Sequence, residues 1–197
     1  YEDLSKSLFL LKELNSIVFV GYNRSFAPWT NKMAEIINQN EVHIKIAVNA
    51  GILPPEHWLL DTKKSGGRII GECCHFVDLA LKLTGEIVLS EIRCLRREKY
   101  YQDTGTYILE FHNRSTVHIE YFYDLGSRVP KEQIYVRFNG KNYGNRNWQS
   151  FSGFKCQKGK GHKQAVDEFA KRIELKQWST REEMNKVLLS TFISLKM

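Results

Sequence analysis

The chain has 197 residues, 42% hydrophobic and 26% charged, with 29 Lys and Arg against 22 Asp and Glu and a net charge of +7. This is an ordinary globular composition, long enough for one domain with a substantial core or one domain plus a fragment. No apolar run approaches the roughly 18 residues of a membrane span. The cysteines Cys73, Cys74, Cys94 and Cys156 lack Cys-x-x-Cys spacing and read as reduced thiols of a cytoplasmic protein, so neither disulfides nor a metal site is expected. The chain opens on Tyr1 without a signal-like segment, which reads as a trimmed or excised chain.

In chain order, Leu4, Leu8, Leu11 and Leu14 recur at helical spacing and predict an amphipathic helix over 3–14. Ile17 to Val20 is an unbroken apolar run, which suits a strand buried on both faces of a parallel sheet. Helix then buried strand is the closing piece of an αβ unit. Asn23 and Arg24 follow and should emerge at the strand's carboxyl end, where ligands bind in open α/β sheets; a junction contact to a backbone carbonyl is the plain alternative. A helix is expected from Pro28 to Asn38, with Pro in its first turn, and a strand from Glu41 to Asn49. Residues 50–64 read as a loop carrying Pro54-Pro55-Glu56-His57-Trp58. A His beside an exposed Trp suits sugar binding, with the indole stacking on the ring and the imidazole bonding a hydroxyl; a buried Trp anchoring the loop is the alternative.

Residues 65–85 say more about chemistry than any other stretch. After Gly66-Gly67 comes a helix apolar almost all round, from Ile69 to Leu83, and such a helix is normally buried. Arg68, Glu72, His75, Asp78 and Lys82 interrupt it at offsets that fall on one stripe at helical periodicity. A buried helix with a single ionisable stripe is what an active-site wall looks like; the solvent face of a surface helix is the alternative. Histidine suits proton transfer because its unperturbed pKa lies near neutrality, and a carboxylate one turn away can orient it. Arg68 can pair with an anionic group of a substrate or with Glu72.

From Ile87 the period changes to two. Segments 87–97, 104–112, 116–123 and 132–138 read as strands, with Asn113-Arg114-Ser115 and Asn139-Gly140 as hairpin turns. Tyr and Phe on both faces predict one face packed on helices and the other meeting a partner subunit. Helices at about 162–174 and 181–195 finish the chain. Lys160-Gly161-His162-Lys163, at the start of the first of these, is a candidate anion contact or else a surface turn. The basic balance also admits nucleic acid, yet no nucleic-acid-binding motif accompanies it. The fold class expected is α/β (α+β): a mainly antiparallel open sheet packed against helices, preceded by the last helix and strand of a truncated Rossmann domain.

The segment Ser65-Gly66-Gly67 to His75 resembles the glucose–fructose oxidoreductase / inositol dehydrogenase (Gfo/Idh/MocA) superfamily, in which a Gly-rich turn opens a central helix bearing an Asp and, four residues later, the catalytic His. Here the His is His75, and Gly71 stands at the position of the Asp with Glu72 beside it. The stretch 67–76 is similar to a branch reading Gly-Arg-Ile-Ile-Gly-Glu-x-Cys-His-Phe, and Pro54 to Trp58 to that branch's Pro-x-x-His-Trp loop. Tyr22 to Phe26 resembles the family's Tyr/Phe-Asn-Arg-Arg-Phe element, with Ser25 in place of the second Arg. No Gly-x-Gly-x-x-Gly follows any strand, and the family's Glu-Lys-Pro element is missing. The resemblance therefore covers the whole chain but only the later part of a complete member: residues 1–22 as the remnant of the nucleotide-binding domain, 23–197 as the substrate-binding and dimerisation domain.

The resemblance implies an NAD- or NADP-dependent oxidoreductase of a sugar or nucleotide sugar, silent as this piece because the main cofactor site is absent. In it His75 and Glu72 are catalytic. Arg24, His57, Trp58, Arg68 and Asp78 bind substrate, and Asn23 borders the cofactor. A homo-oligomer forms through the sheet. Two other classes stay open: a non-catalytic binding or assembly module, and a nucleic-acid binder.

Overall fold

The period-two alternation is realised as one seven-stranded sheet. In the computed structural model, which describes residues 17, 19–85, 88–98, 103–177 and 193, its strands are β1 (His43–Asn49), β2 (Leu89–Glu98), β3 (Thr104–Phe111), β4 (Thr116–Phe122), β5 (Glu132–Phe138), β6 (Lys141–Arg146) and β7 (Ser150–Ser152). They lie in the order β2-β3-β4-β1-β5-β6-β7. Strand β1 runs parallel to β4 and antiparallel to β5, and every other neighbour is antiparallel.

Alternation decides which face is covered. Ile44, Ile46 and Val48 of β1, Val117, Ile119 and Tyr121 of β4, and Ile134 and Val136 of β5 are all at most 4% exposed and form one apolar layer. Helix α1 (Pro28–Ile37) and helix α2 (Cys74–Thr84) pack on it through Trp29, Met33 and Ile37 and through Phe76, Val77, Ala80 and Leu83. Each such side chain, fully buried, is worth about 1.5–3 kcal/mol of transfer free energy. The opposite parity, His43, Lys45, His118, Tyr135 and Arg137, faces away from the helices and is exposed, with Lys45 paired to Glu120 at 2.8 Å. One packed and one polar face is the usual solution for an antiparallel sheet.

The central helix departs from a simple start. Its first turn, Ile69–Cys73, is π-helical, and regular α-helix begins only at Cys74. π-turns are rare and concentrate at functional sites. The helix stops where Gly85 takes φ +64° and donates its N–H to Leu81. A third helix, α3 (His162–Glu174), closes the described chain.

Several expectations need adjusting. Residues 23–26 form a 3₁₀ turn, and the loop after β1 contains a 3₁₀ turn at Trp58–Leu60 and a single helical turn at Thr62–Ser65. Strands β6 and β7 were not expected, because their Asn, Gly and Ser residues carry no apolar alternation; the Asn139-Gly140 turn folds β6 back onto β5. Ile17, Phe19 and Val20 belong to no strand of the sheet and are part-buried; Phe19 instead packs its ring 5.3 Å from both Phe26 and Phe169. The helices expected at 3–14 and 181–195 lie outside the described residues, apart from Ile193, which is buried in the core. Among the described residues no helix is long and apolar enough to cross a membrane, and no group of His, Cys, Asp and Glu converges as a metal site.

Candidate active site

At the carboxyl ends of the parallel pair β1 and β4, the sheet, the π-turn and the 23–26 turn enclose a cleft of about 120 Å³. It is lined by Arg24, Val48, Ala50, Glu72, His75, Phe76, Tyr121, Lys131, Glu132 and Lys160.

Its floor is a buried carboxylate. Glu132, 1% exposed, accepts from Arg24 Nε and Nη2, both at 2.9 Å, from Lys160 Nζ at 2.6 Å and from the Trp148 indole N–H at 2.6 Å. Burial would raise its pKa, but the Arg24 fork and the Lys160 ammonium outweigh burial and hold it down at about 2. Arg24 in turn lies 4.5 Å over the Phe76 ring, a cation–π arrangement. Lys160 is fixed from behind, since the Asn23 side-chain amide donates to its carbonyl at 2.8 Å. Gly161 makes this junction possible: at φ +86° it lies so close to the 23–27 turn that a Cβ would come 2.2 Å from the Asn23 carbonyl.

One wall is Glu72. Its Oε2 receives Arg68 Nε at 2.7 Å and the Tyr121 hydroxyl at 2.5 Å, whereas Oε1 has no hydrogen bond among the described residues. Burial, then the Glu72 carboxylate, pushes the Tyr121 phenol well above its ordinary range, so it stays a donor. Arg68 is fully buried and also donates to the Gly51 carbonyl at 2.8 Å.

Facing them is His75, part-buried, with its Nδ1 buried and without a hydrogen bond among the described residues and its ring edge-on to Tyr22 at 5.3 Å. Burial, and next the Arg24 cation, lowers its pKa to about 4. The imidazole is therefore neutral at pH 7, with a ring lone pair that can accept a hydrogen bond from a ligand hydroxyl. Behind it, burial raises the Cys74 thiol to about 11 and the Cys73 thiol well above its usual value, so both remain inert.

Residues 35–189 match the family described as “Oxidoreductase family, C-terminal alpha/beta domain”, that of the Gfo/Idh/MocA proteins. The chain belongs to this family. No curated protein matches it. Among solved structures, a dehydrogenase (MviM) from Clostridium difficile is 17% identical with a TM-score of 0.69, over 96% of this chain and 64% of that one. GenD2 from gentamicin A biosynthesis, in complex with NAD, is 11% identical with a TM-score of 0.74, over 98% and 63%. An oxidoreductase from Thermotoga maritima is 14% identical with a TM-score of 0.72, again over 98% and 63%. At such identities the likeness is one of fold. The chain spans less than two thirds of the length of each.

Within this Gfo/Idh/MocA domain the structure brings together Arg24, Glu72 and His75, and sets the other sequence candidates apart. Arg68 is fully buried, turns its guanidinium to Glu72 and the Gly51 carbonyl, and does not line the cleft. Asp78 accepts from the Ser25 hydroxyl, one turn beyond the cleft. Asn23 is 6% exposed and spent on Lys160. His57 and Trp58 do not line the cleft: His57 Nδ1 accepts from the Leu59 N–H at 3.2 Å, and Trp58 projects outward, 56% exposed. Their loop reaches the helix through Leu59, whose Cδ2 would lie 2.5 Å from a Cβ at residue 71. Leu59 thus fills the space that a side chain at residue 71 would need. Lys160, in the 160–163 segment, faces Glu132 in the cleft and not a helix-end anion site.

Two cleft residues escaped the sequence reading although a signal existed. Glu132 shares parity with Ile134, Val136 and Phe138, and Tyr121 with Val117 and Ile119, so both belong to the buried face of their strands. A carboxylate on a core parity is the informative anomaly.

Proposed function

We propose that this chain is the substrate-binding part of an NAD(P)-dependent oxidoreductase acting on a sugar or nucleotide sugar, with His75 as proton acceptor. The observation that carries this reading is the neutral His75 in a cleft opposite a braced Glu72. A hydroxyl entering the cleft can donate to His75 while Glu72 Oε1 accepts from a neighbouring hydroxyl; Arg68 and Tyr121 keep that carboxylate from rotating. Ala50, part-exposed, lies beside them at the cleft's edge.

The dinucleotide does not fit the residues described. Among the described residues no strand, Gly-rich turn and helix cradles a pyrophosphate. The cofactor, which would accept the hydride, is assigned to the rest of a complete enzyme. Arg24 bears on substrate from the cleft wall; Asn23 supports it through Lys160. His57 and Trp58 are assigned to the substrate's outer part. The polar open face of the sheet, with Tyr135 half exposed, is the surface proposed for self-association, and light scattering would show the dimer.

Calorimetry with a panel of sugars and UDP-sugars, and separately with NAD(H), tests the reading. Binding of one sugar, weakened about tenfold or more in His75→Ala, together with silence toward NAD(H), supports it. Tight NAD(H) binding overturns the placement of the cofactor. Sugar binding indifferent to His75→Ala leaves a binding module.

A further inference from the structure

We infer that the substrate carries an anionic group, a carboxylate or a phosphoryl, received by Lys131 at the mouth of the cleft. This deepens the proposed sugar-site reading and rests on it.

The first ground is charge. Arg68 and Glu72 neutralise one another at 2.7 Å. The remaining ionised side chains of the cleft are three cations, Arg24, Lys131 and Lys160, against the single carboxylate of Glu132. Arg24 and Lys160 are both committed to that carboxylate, and Lys160 is only a third exposed. The Lys131 ammonium has no hydrogen bond or ion pair with any described residue and is exposed. A cleft with unbalanced positive charge concentrates anions.

The second ground is placement. Lys131 is not a loose surface lysine. Its carbonyl accepts from the Asn49 N–H at 2.8 Å, at the end of β1. The Asn49 side chain bonds the loop before it, receiving the Leu125 N–H at 3.1 Å and donating to the Gly126 carbonyl at 3.2 Å. The next residue is the buried Glu132. The backbone is therefore held beside the cleft while the ammonium stays available to a ligand. Lys131 then fixes which end of the sugar lies away from His75.

The experiment is an NMR titration of the full ¹⁵N-labelled chain with D-glucuronate, D-glucose 6-phosphate, D-glucose and inorganic phosphate, repeated on Lys131→Met and Lys131→Arg. Lys131 is exposed, so neither variant threatens folding. The expected result is that a sugar acid shifts signals around the cleft and binds about tenfold or more tighter than D-glucose, as a charge-assisted hydrogen bond warrants. Lys131→Met should remove that advantage and leave D-glucose unchanged, and Lys131→Arg should restore it. The glucuronate and phosphate-ester arms tell carboxylate from phosphoryl. Equal binding of D-glucose, indifferent to Lys131→Met, overturns the inference while the sugar reading stands. Inorganic phosphate matching the sugar acids overturns it as an unselective anion site. If no sugar shifts a cleft signal, both readings fall.

Discussion

Arg24 and Glu132, 108 positions apart in sequence, form a two-pronged ion pair at 2.9 Å that joins the 23–26 turn to the start of β5. Because Lys160 and Trp148 bond the same carboxylate, one side chain ties together the turn, the sheet and the approach to α3. The cleft's shape depends on it.

Replacing Glu132 by Ala should therefore destabilise the chain by about 3–5 kcal/mol, since it leaves Arg24 and the Trp148 N–H without their acceptor. Urea unfolding measures this. Glu132→Gln keeps the volume but halves the acceptor capacity, and should fall between wild type and Glu132→Ala. A loss below about 1 kcal/mol in Glu132→Ala would show the pair to be incidental.

Acid should unfold the protein in two stages with different origins. His75 has a folded pKa of about 4 against an ordinary 6.5, so the unfolded chain binds the proton first and stability falls as pH drops from 6.5 to 4. Glu132, held at about 2 against 4.5, contributes stability that is complete above 4.5 and lost as pH falls toward 2. Thermal unfolding against pH should show the upper stage vanish in His75→Gln and the lower stage persist. An unchanged upper stage would contradict the neutral buried imidazole.

Gly161 should tolerate no side chain. At Gly161→Ala a Cβ would lie 2.2 Å from the Asn23 carbonyl and 2.5 Å from the Ala27 nitrogen, both rigid backbone, at a φ that L-residues rarely take. A loss of about 2–4 kcal/mol is expected from strain and overpacking together. Hydrogen exchange would locate the damage at the 23–27 turn and the first turn of α3. Damage spread evenly through the sheet would argue against this junction.

The strands that alternate, the Pro-started helix α1 and the ionisable stripe of the central helix were legible because each is written in local periodicity. The stripe's partners were not. That Arg68 would turn to Glu72 and Gly51, and Arg24 to Glu132, depends on which elements meet across the sheet, and no spacing encodes that. Strands β6 and β7 were hidden for a related reason: Tyr143, Gly144 and Asn145 are strand only because β5 offers them a ladder. Residues 54–58 match a motif, but which side chain of that loop reaches the central helix, Leu59 and not His57, is set by packing that no spacing encodes.

That last contact yields a test of why this chain carries Gly71. An Asp introduced there would place its Cβ 2.5 Å from Leu59 Cδ2, so Gly71→Asp should cost about 1–3 kcal/mol as overpacking. Leu59 is buried, and Leu59→Ala alone should cost about 2–4 kcal/mol through the cavity it opens. If the two side chains compete for one space, the double variant should be less destabilised than the sum of the singles by at least about 1 kcal/mol. Urea unfolding of all four proteins closes the cycle. Strict additivity would mean that Leu59 yields without cost, and that the glycine at residue 71 has nothing to do with the loop. A positive coupling would show that loop 58–60 and residue 71 are one choice: a leucine packed on the helix in place of a carboxylate one residue before Glu72. In that case Glu72, with its free Oε1, is the acid group nearest His75 in sequence that the cleft retains.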